Sequence, residues 1–125
     1  MIYTRLNALD SLRGPDAKWG WGGDAVKPDY SLLQWDDEKL TKPTEAEIDA
    51  EVTRLNSLEA MRLLRIERTA KLAACDWRAS SDLTLPDAWK TYRQALRDLP
   101  ASATPKVDEF GNLDQSSVTW PTEPS

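Results

Sequence analysis

The chain has 125 residues, a length typical of one domain, with a formal net charge of −5 and a sequence pI of about 4.7. This acidic balance argues against a nucleic-acid backbone or an anionic membrane as the main partner. Histidine is absent and Cys75 is the only cysteine, which excludes a Cys-His nucleophile, an internal disulfide and the ligand set of a zinc site. The sequence therefore predicts a protein that is not an enzyme, with no catalytic, metal-binding or cofactor-binding residues and no small-molecule substrate.

The compartment is predicted from two further patterns. No apolar run approaches the roughly 20 residues that a membrane-spanning helix needs. The first residues, MIYTRLNALD, lack the apolar stretch of a signal peptide. We therefore expect the protein to fold in a cytoplasm.

Residues 1–42 are predicted to form a tryptophan-rich module. A short helix is expected over residues 5–13 with Thr4 as its cap, followed by a strand that carries Trp19 and Trp21 on one face. Residues 30–35 are expected to form the return strand of a β-hairpin. With Tyr30 and Trp35, this face holds more aromatic area than two short strands need, so we predict that it carries part of a partner surface.

Residues 43–100 are predicted to form a helical hairpin. Thr44 and Glu47 have the spacing of a capping box, and a long helix is expected over about residues 45–75. Glu59 and Arg62 interrupt its apolar stripe, which leaves two alternatives: a continuous helix, which we favour, or a break near residues 56–57. The clustered basic residues of this helix alternate with glutamates, which indicates an ion-paired, solvated face.

The second helix of the hairpin is expected over about residues 85–98, after a turn from Asp76 to Asp82. Thr84 is predicted to cap this helix and Pro100 to end it. Its apolar stripe should pack on the first helix, with Trp77 and Trp89 mostly buried and close together. The predicted fold class is α+β: a small N-terminal β-hairpin packed with a helical hairpin and an extended C-terminal tail.

Residues 101–125 are predicted to form that tail, with a turn at Gly111-Asn112. Val118 and Trp120 lie two residues apart, on one side of an extended chain, and Pro121 ends any strand pairing. One interpretation is a docking strand that inserts Val118 and Trp120 into a partner, with Trp120 as its anchor and Phe110 as the runner-up for that role. The alternative is that Trp120 covers the helices of its own domain.

Three segments carry a resemblance to a known family. The run MRLLRIERTAKLAACDW, the helix LPDAWKTYRQALRDLP and the closing VTWP resemble tail assembly chaperone-like proteins of tailed bacteriophages, over about residues 61–121. The N-terminal WGWGGD, YSLLQWDD and PTEAEI are similar to a module joined to this part in marine and cyanobacterial phage proteins.

The resemblance implies a protein that binds a phage tail fibre or another tail protein, and two roles follow from it. The first is an assembly chaperone that acts on tail-fibre components in the cytoplasm of the bacterial host. The second is a permanent virion component, such as an adaptor associated with the fibre or the baseplate.

Overall fold

The computed structural model of the chain describes residues 2–79 and 84–124. In those residues it contains three α-helices and a two-stranded sheet: α1 (Arg5–Arg13), β1 (Trp19–Trp21), β2 (Leu33–Trp35), α2 (Glu45–Ala74) and α3 (Asp87–Ser102). The 30-residue helix α2 is the central element of the fold, because both α1 and α3 pack on it. The predicted α+β class is confirmed.

Helix α1 begins as predicted, with Thr4 as its cap, and Asn7 completes a capping box with it. The Thr4 hydroxyl accepts a hydrogen bond from the Asn7 amide, and the Asn7 side chain accepts one from the Thr4 amide. Two of the four amides that a helix leaves unpaired at its start are thereby satisfied.

Strands β1 and β2 pair antiparallel, with Trp19 opposite Trp35 and Trp21 opposite Leu33. The expected return strand over residues 30–35 is too long. Tyr30–Leu32 forms a 3-10 turn instead, because the Asp29 carboxylate accepts hydrogen bonds from the amide and hydroxyl of Ser31 and bends the chain there.

A first core cluster joins the sheet, α1 and the first half of α2. Its fully or nearly fully buried members are Ala8, Leu9, Leu33 and Ile48. The hairpin face therefore packs on the helices of its own chain, as a two-stranded sheet requires for stability.

Helix α2 is continuous, so the favoured alternative is confirmed. The Thr44 hydroxyl accepts from the Glu47 amide, as the capping box predicts. No break occurs near residues 56–57, because the Asn56 side chain does not cap a second helix. It accepts instead from the Tyr3 amide at 2.7 Å, which ties the start of the chain to the middle of α2.

The start of α3 differs from the prediction. Thr84 does not cap it: the helix begins at Asp87, the cap position is Pro86, and no side chain of the described residues bonds the first amides. Pro86 has φ fixed near −60° and an extended ψ, and its carbonyl accepts from the amides of Trp89 and Lys90. The predicted turn from Asp76 to Asp82 lies partly outside the described residues. Its described part, Asp76–Ala79, is a 3-10 helix.

The end of α3 also differs, since Pro100 lies inside the helix and the last helical residue is Ser102. A proline removes one amide donor, but the Ala103 amide still bonds the Leu99 carbonyl at 3.0 Å, so the final turn closes beyond it.

The C-terminal segment turns at Gly111 as predicted, with Val107 and Leu113 bridged antiparallel around the turn. Gly111 has φ +81°, a conformation that favours glycine. The Gln115 side chain donates to the Glu67 carboxylate of α2 at 3.0 Å, and Val118 is buried. The tail therefore lies along the helices of its own chain.

Candidate functional site at the tryptophan end of the hairpin

The junction of α2 and α3 is organised by a buried arginine. Arg93 of α3 donates to the Leu72 carbonyl at 3.1 Å, to the Cys75 sulfur at 3.0 Å and to the Asp76 carboxylate at 2.8 Å. The hydrogen bond with Asp76 is the main reason that the pKa of Arg93 is raised above its usual value. A planar guanidinium can serve three acceptors at once, so Arg93 fixes where the last turn of α2 sits against α3.

Two tryptophans meet at this junction through a second arginine. The guanidinium carbon of Arg78 lies 4.4 Å from the ring centroid of Trp77 and 4.0 Å from that of Trp89, both within cation–π range. The expectation that both tryptophans are mostly buried is wrong for Trp77. Trp89 is only 5 % exposed and meets Tyr92 edge to face, whereas Trp77 is 58 % exposed.

The reason for the difference is the position of Trp77 after the last turn of α2. It lies in the 3-10 segment that follows Cys75, so it does not share the face of α2 that packs on α3. The Arg78 guanidinium lies over the Trp89 ring instead, and it also lies within cation–π range of the Trp77 ring.

Trp120 of the tail completes what we call the tryptophan end, defined by Trp77, Arg78, Trp89 and Trp120. The Trp120 ring is half-buried and packs against the second core cluster, which contains Cys75, Trp89, Tyr92 and Leu96. Its indole N–H donates to the Gln115 side chain at 2.8 Å, and the Lys71 amine lies 5.0 Å from its ring centroid. In this position Trp120 covers its own helices, as the second interpretation of the tail predicts.

The other predicted partner residues are placed in two different regions. Val118 and the half-buried Pro121 flank Trp120 in the tail. Trp19 and Trp21 pack on the first core cluster, beside the first half of α2. The structure therefore brings Val118, Trp120 and Pro121 together but does not join them to Trp19 and Trp21. Partner binding by any of the five residues stays a prediction.

Three of the N-terminal aromatic side chains, those of Trp21, Tyr30 and Trp35, have polar partners within the chain. The indole N–H groups of Trp21 and Trp35 donate to the carbonyls of Asp29 and Leu40, each at 2.9 Å. The Tyr30 hydroxyl donates to the Pro43 carbonyl at 2.6 Å. These aromatic rings are only half-buried, so part of each remains on the surface.

Sequence reasoning missed the buried charged residues, which among the described residues are Arg5, Glu51, Glu59 and Arg93. Glu59 accepts two hydrogen bonds from Arg62, at 2.6 and 2.9 Å, and chiefly for this reason its pKa falls to about 2. Arg5 binds Asp49 through two nitrogens, each at 2.9 Å, and so ties α1 to α2. The signal for Glu59 was present in the sequence, since Glu59 and Arg62 interrupt the apolar stripe; for Arg5 and Arg93 no pattern marked the burial.

No helix in the described residues is both long enough and apolar enough to cross a membrane. No curated protein matches the chain, and no solved structure does. A family model described as phage tail assembly chaperone protein matches residues 61–125. This match covers more than half of the chain and includes the tryptophan end, the Arg93 junction and the whole tail. The chain therefore belongs to the phage tail assembly chaperone protein family.

Proposed function

We propose that the protein is an assembly chaperone that binds a tail-fibre component in the cytoplasm of the bacterial host, through the tryptophan end of its helical hairpin. The observation that carries this proposal is Trp77, a large aromatic that is 58 % exposed within the segment that matches the family. A tail-fibre component is the client that the resemblance of the sequence implies.

The tryptophan end has the composition of a binding hot spot. Tryptophan and arginine are the residues most enriched where alanine substitution weakens a protein complex. The Arg78 guanidinium lies 4.4 Å from the ring centroid of Trp77, and Trp77 is still 58 % exposed. A side chain that is already positioned loses less conformational entropy on binding than a free one.

The predicted residues of the tail and the hairpin belong to the same proposal. Because Trp120 is only half-buried, a client that contacts Trp77 can also reach its exposed edge. Trp19 and Trp21 are proposed as a second contact region for a long client, beside the first half of α2. We also propose that the protein has no enzymatic activity, since the chain has no histidine and its one thiol is buried.

The test is recovery of co-expressed tail-fibre proteins of the same phage on the tagged protein. Trp77→Ala should lower recovery about tenfold or more, the loss expected for a hot-spot aromatic. Leu58→Ala is the matched control, because Leu58 is equally exposed but lies on α2, outside the tryptophan end and outside the β-hairpin. Trp120→Ala and Trp19→Ala report separately on the tail and on the hairpin.

Two results would contradict the proposal. Equal recovery of the fibre by wild type and Trp77→Ala, with both proteins folded, removes the tryptophan end as the binding surface. Mass spectrometry of purified virions tests the role itself. A chaperone leaves the assembled tail, so a stoichiometric amount of the protein in the virion would assign it as a permanent component instead.

A further inference from the structure

One face of α2 is left uncovered between the parts that α1 and α3 occupy. We call it the α2 groove. It is a shallow depression of about 530 Å³ lined by Leu58, Met61, Arg62, Arg65, Ile66 and Thr69. Leu58 and Ile66 are each more than half exposed, which is unusual for aliphatic side chains placed together on one surface.

The charge of the groove is positive. Arg62 is held by Glu59, but Arg65 forms no ion pair or hydrogen bond with any residue in the described parts of the chain. Apolar side chains next to a guanidinium without an ion-pair partner are complementary to an occupant that carries an exposed apolar side chain beside a carboxylate.

The tail turn presents a side chain of that description. Phe110 is 76 % exposed, more than any other large hydrophobic residue among those described. The turn beneath it is held by Asp108, whose carboxylate accepts from the amides of Phe110 and Asn112, both at 2.9 Å. The neighbouring Glu109 carboxylate is exposed and pairs with no described residue.

We propose that the Phe110 turn of one copy of this chain inserts into the α2 groove of a second copy. Phe110 packs between Leu58 and Ile66, and Glu109 pairs with Arg65 across the interface. Phe110 does not fill the groove of its own chain, since its ring is mostly in solvent. Each copy carries one turn and one groove, so a two-fold dimer satisfies both pairs and closes the assembly.

This surface is separate from the tryptophan end, so a result that contradicts the dimer does not contradict the proposed client binding, and the reverse also holds. Because the turn is already fixed by Asp108 and by the bridge between Val107 and Leu113, little ordering is required when it docks.

The test is sedimentation velocity of the full chain over about 1 μM to 1 mM, a range that covers weak interfaces. Wild type should reach twice the mass of the 14.1 kDa chain. Phe110→Ser and Ile66→Glu should each raise the dissociation constant about tenfold or more. Leu32→Ser, an exposed apolar change outside the interface, should leave it unchanged.

Charge reversal gives the decisive comparison. Arg65→Glu and Glu109→Arg should each raise the dissociation constant of the dimer. The double variant should return it toward the wild-type value, because the ion pair forms again with its two charges exchanged. All of these side chains are exposed, so circular dichroism spectra should match that of wild type.

Three results overturn the proposal. They are a wild type that stays monomeric throughout, a dimer that Phe110→Ser and Ile66→Glu leave unchanged, and charge reversals that fail to rescue one another. Open-ended assemblies larger than a dimer would contradict the two-fold arrangement.

Discussion

Replacing Arg93 by methionine tests whether its three hydrogen bonds hold the helical hairpin together. Methionine is similar in length and apolar, so the change removes the donors while leaving most of the packing. The Leu72 carbonyl keeps two bonds, from the Cys75 amide at 3.2 Å and from the Cys75 thiol at 3.4 Å, and the exposed Asp76 carboxylate regains water. Only the buried Cys75 sulfur, a weak acceptor, loses its donor, so the loss is smaller than for a fully buried ion pair.

The magnitude follows from these partners. Hydrogen bonds from a charged donor contribute about 1.5–3 kcal/mol each at most, and the one to exposed Asp76 contributes less because water competes for it. The avoided cost of burying a guanidinium offsets part of the loss, which leaves a net destabilisation of about 2 kcal/mol. Arg93→Lys keeps the charge but not the planar fork, and we expect it to lose about half as much.

The assay is urea unfolding followed by far-UV circular dichroism. Arg93→Met should lower the urea midpoint by about 1 M without changing the slope of the transition. Arg97→Met is the matched control on the same helix, because the Arg97 side chain is exposed and forms no hydrogen bond with the described residues. If both variants unfold at the wild-type midpoint, Arg93 does not hold the junction and the reasoning is refuted.

Three further predictions concern stability. Because the pKa of Glu59 is depressed, its ionised carboxylate contributes fully to the free energy of unfolding above about pH 4.5, and this contribution is lost as the pH falls toward 2. Glu59→Gln should therefore reduce the fall in stability at acidic pH, while Glu38→Gln, at an exposed position, should leave that fall unchanged. Trp89→Ala should cost about 3–5 kcal/mol in chemical unfolding, whereas Trp77→Ala should cost less than about 1 kcal/mol; equal losses would contradict the assigned burial. Gly111→Ala should lower the thermal midpoint, since alanine is strained at φ +81°; an unchanged midpoint would show that the turn relaxes freely.

The elements that follow from local rules were predictable. The capping box at Thr44 was found because a hydroxyl and its partner lie three residues apart, Thr4 was recognised as a cap, and helix periodicity located α1 and α2. The same rule failed at Thr84, where the box spacing is present but Pro86 holds the chain extended and the helix starts later. A local sequence pattern can supply a capping side chain, but the conformation of the neighbouring backbone determines whether that side chain caps the helix.

The composition of the site was less predictable than its location. Spacing indicated that Trp89 faces the core, but Trp77 follows the end of α2, where helical periodicity no longer specifies a face. The burial of Arg93 depends on the carbonyl, the thiol and the carboxylate that α2 presents to it, which are contacts between helices and leave no trace in periodicity. Trp120 was recognised as an anchor, but its size alone could not show whether it anchors to its own chain or to another.

The burial of the single thiol makes the tryptophan end observable in solution. Cys75 is 4 % exposed, and Trp120 packs against the cluster that contains it. A thiol-reactive reagent can therefore modify it only when the tail and α3 move apart, so the labelling rate reports the free energy of that local opening. Since the chain has no second cysteine, this measurement needs no engineered label and is free of background from other sites. Binding of a client at this end would appear as a change in the labelling rate. The same thiol therefore reports both the binding of the client and the local opening of the structure.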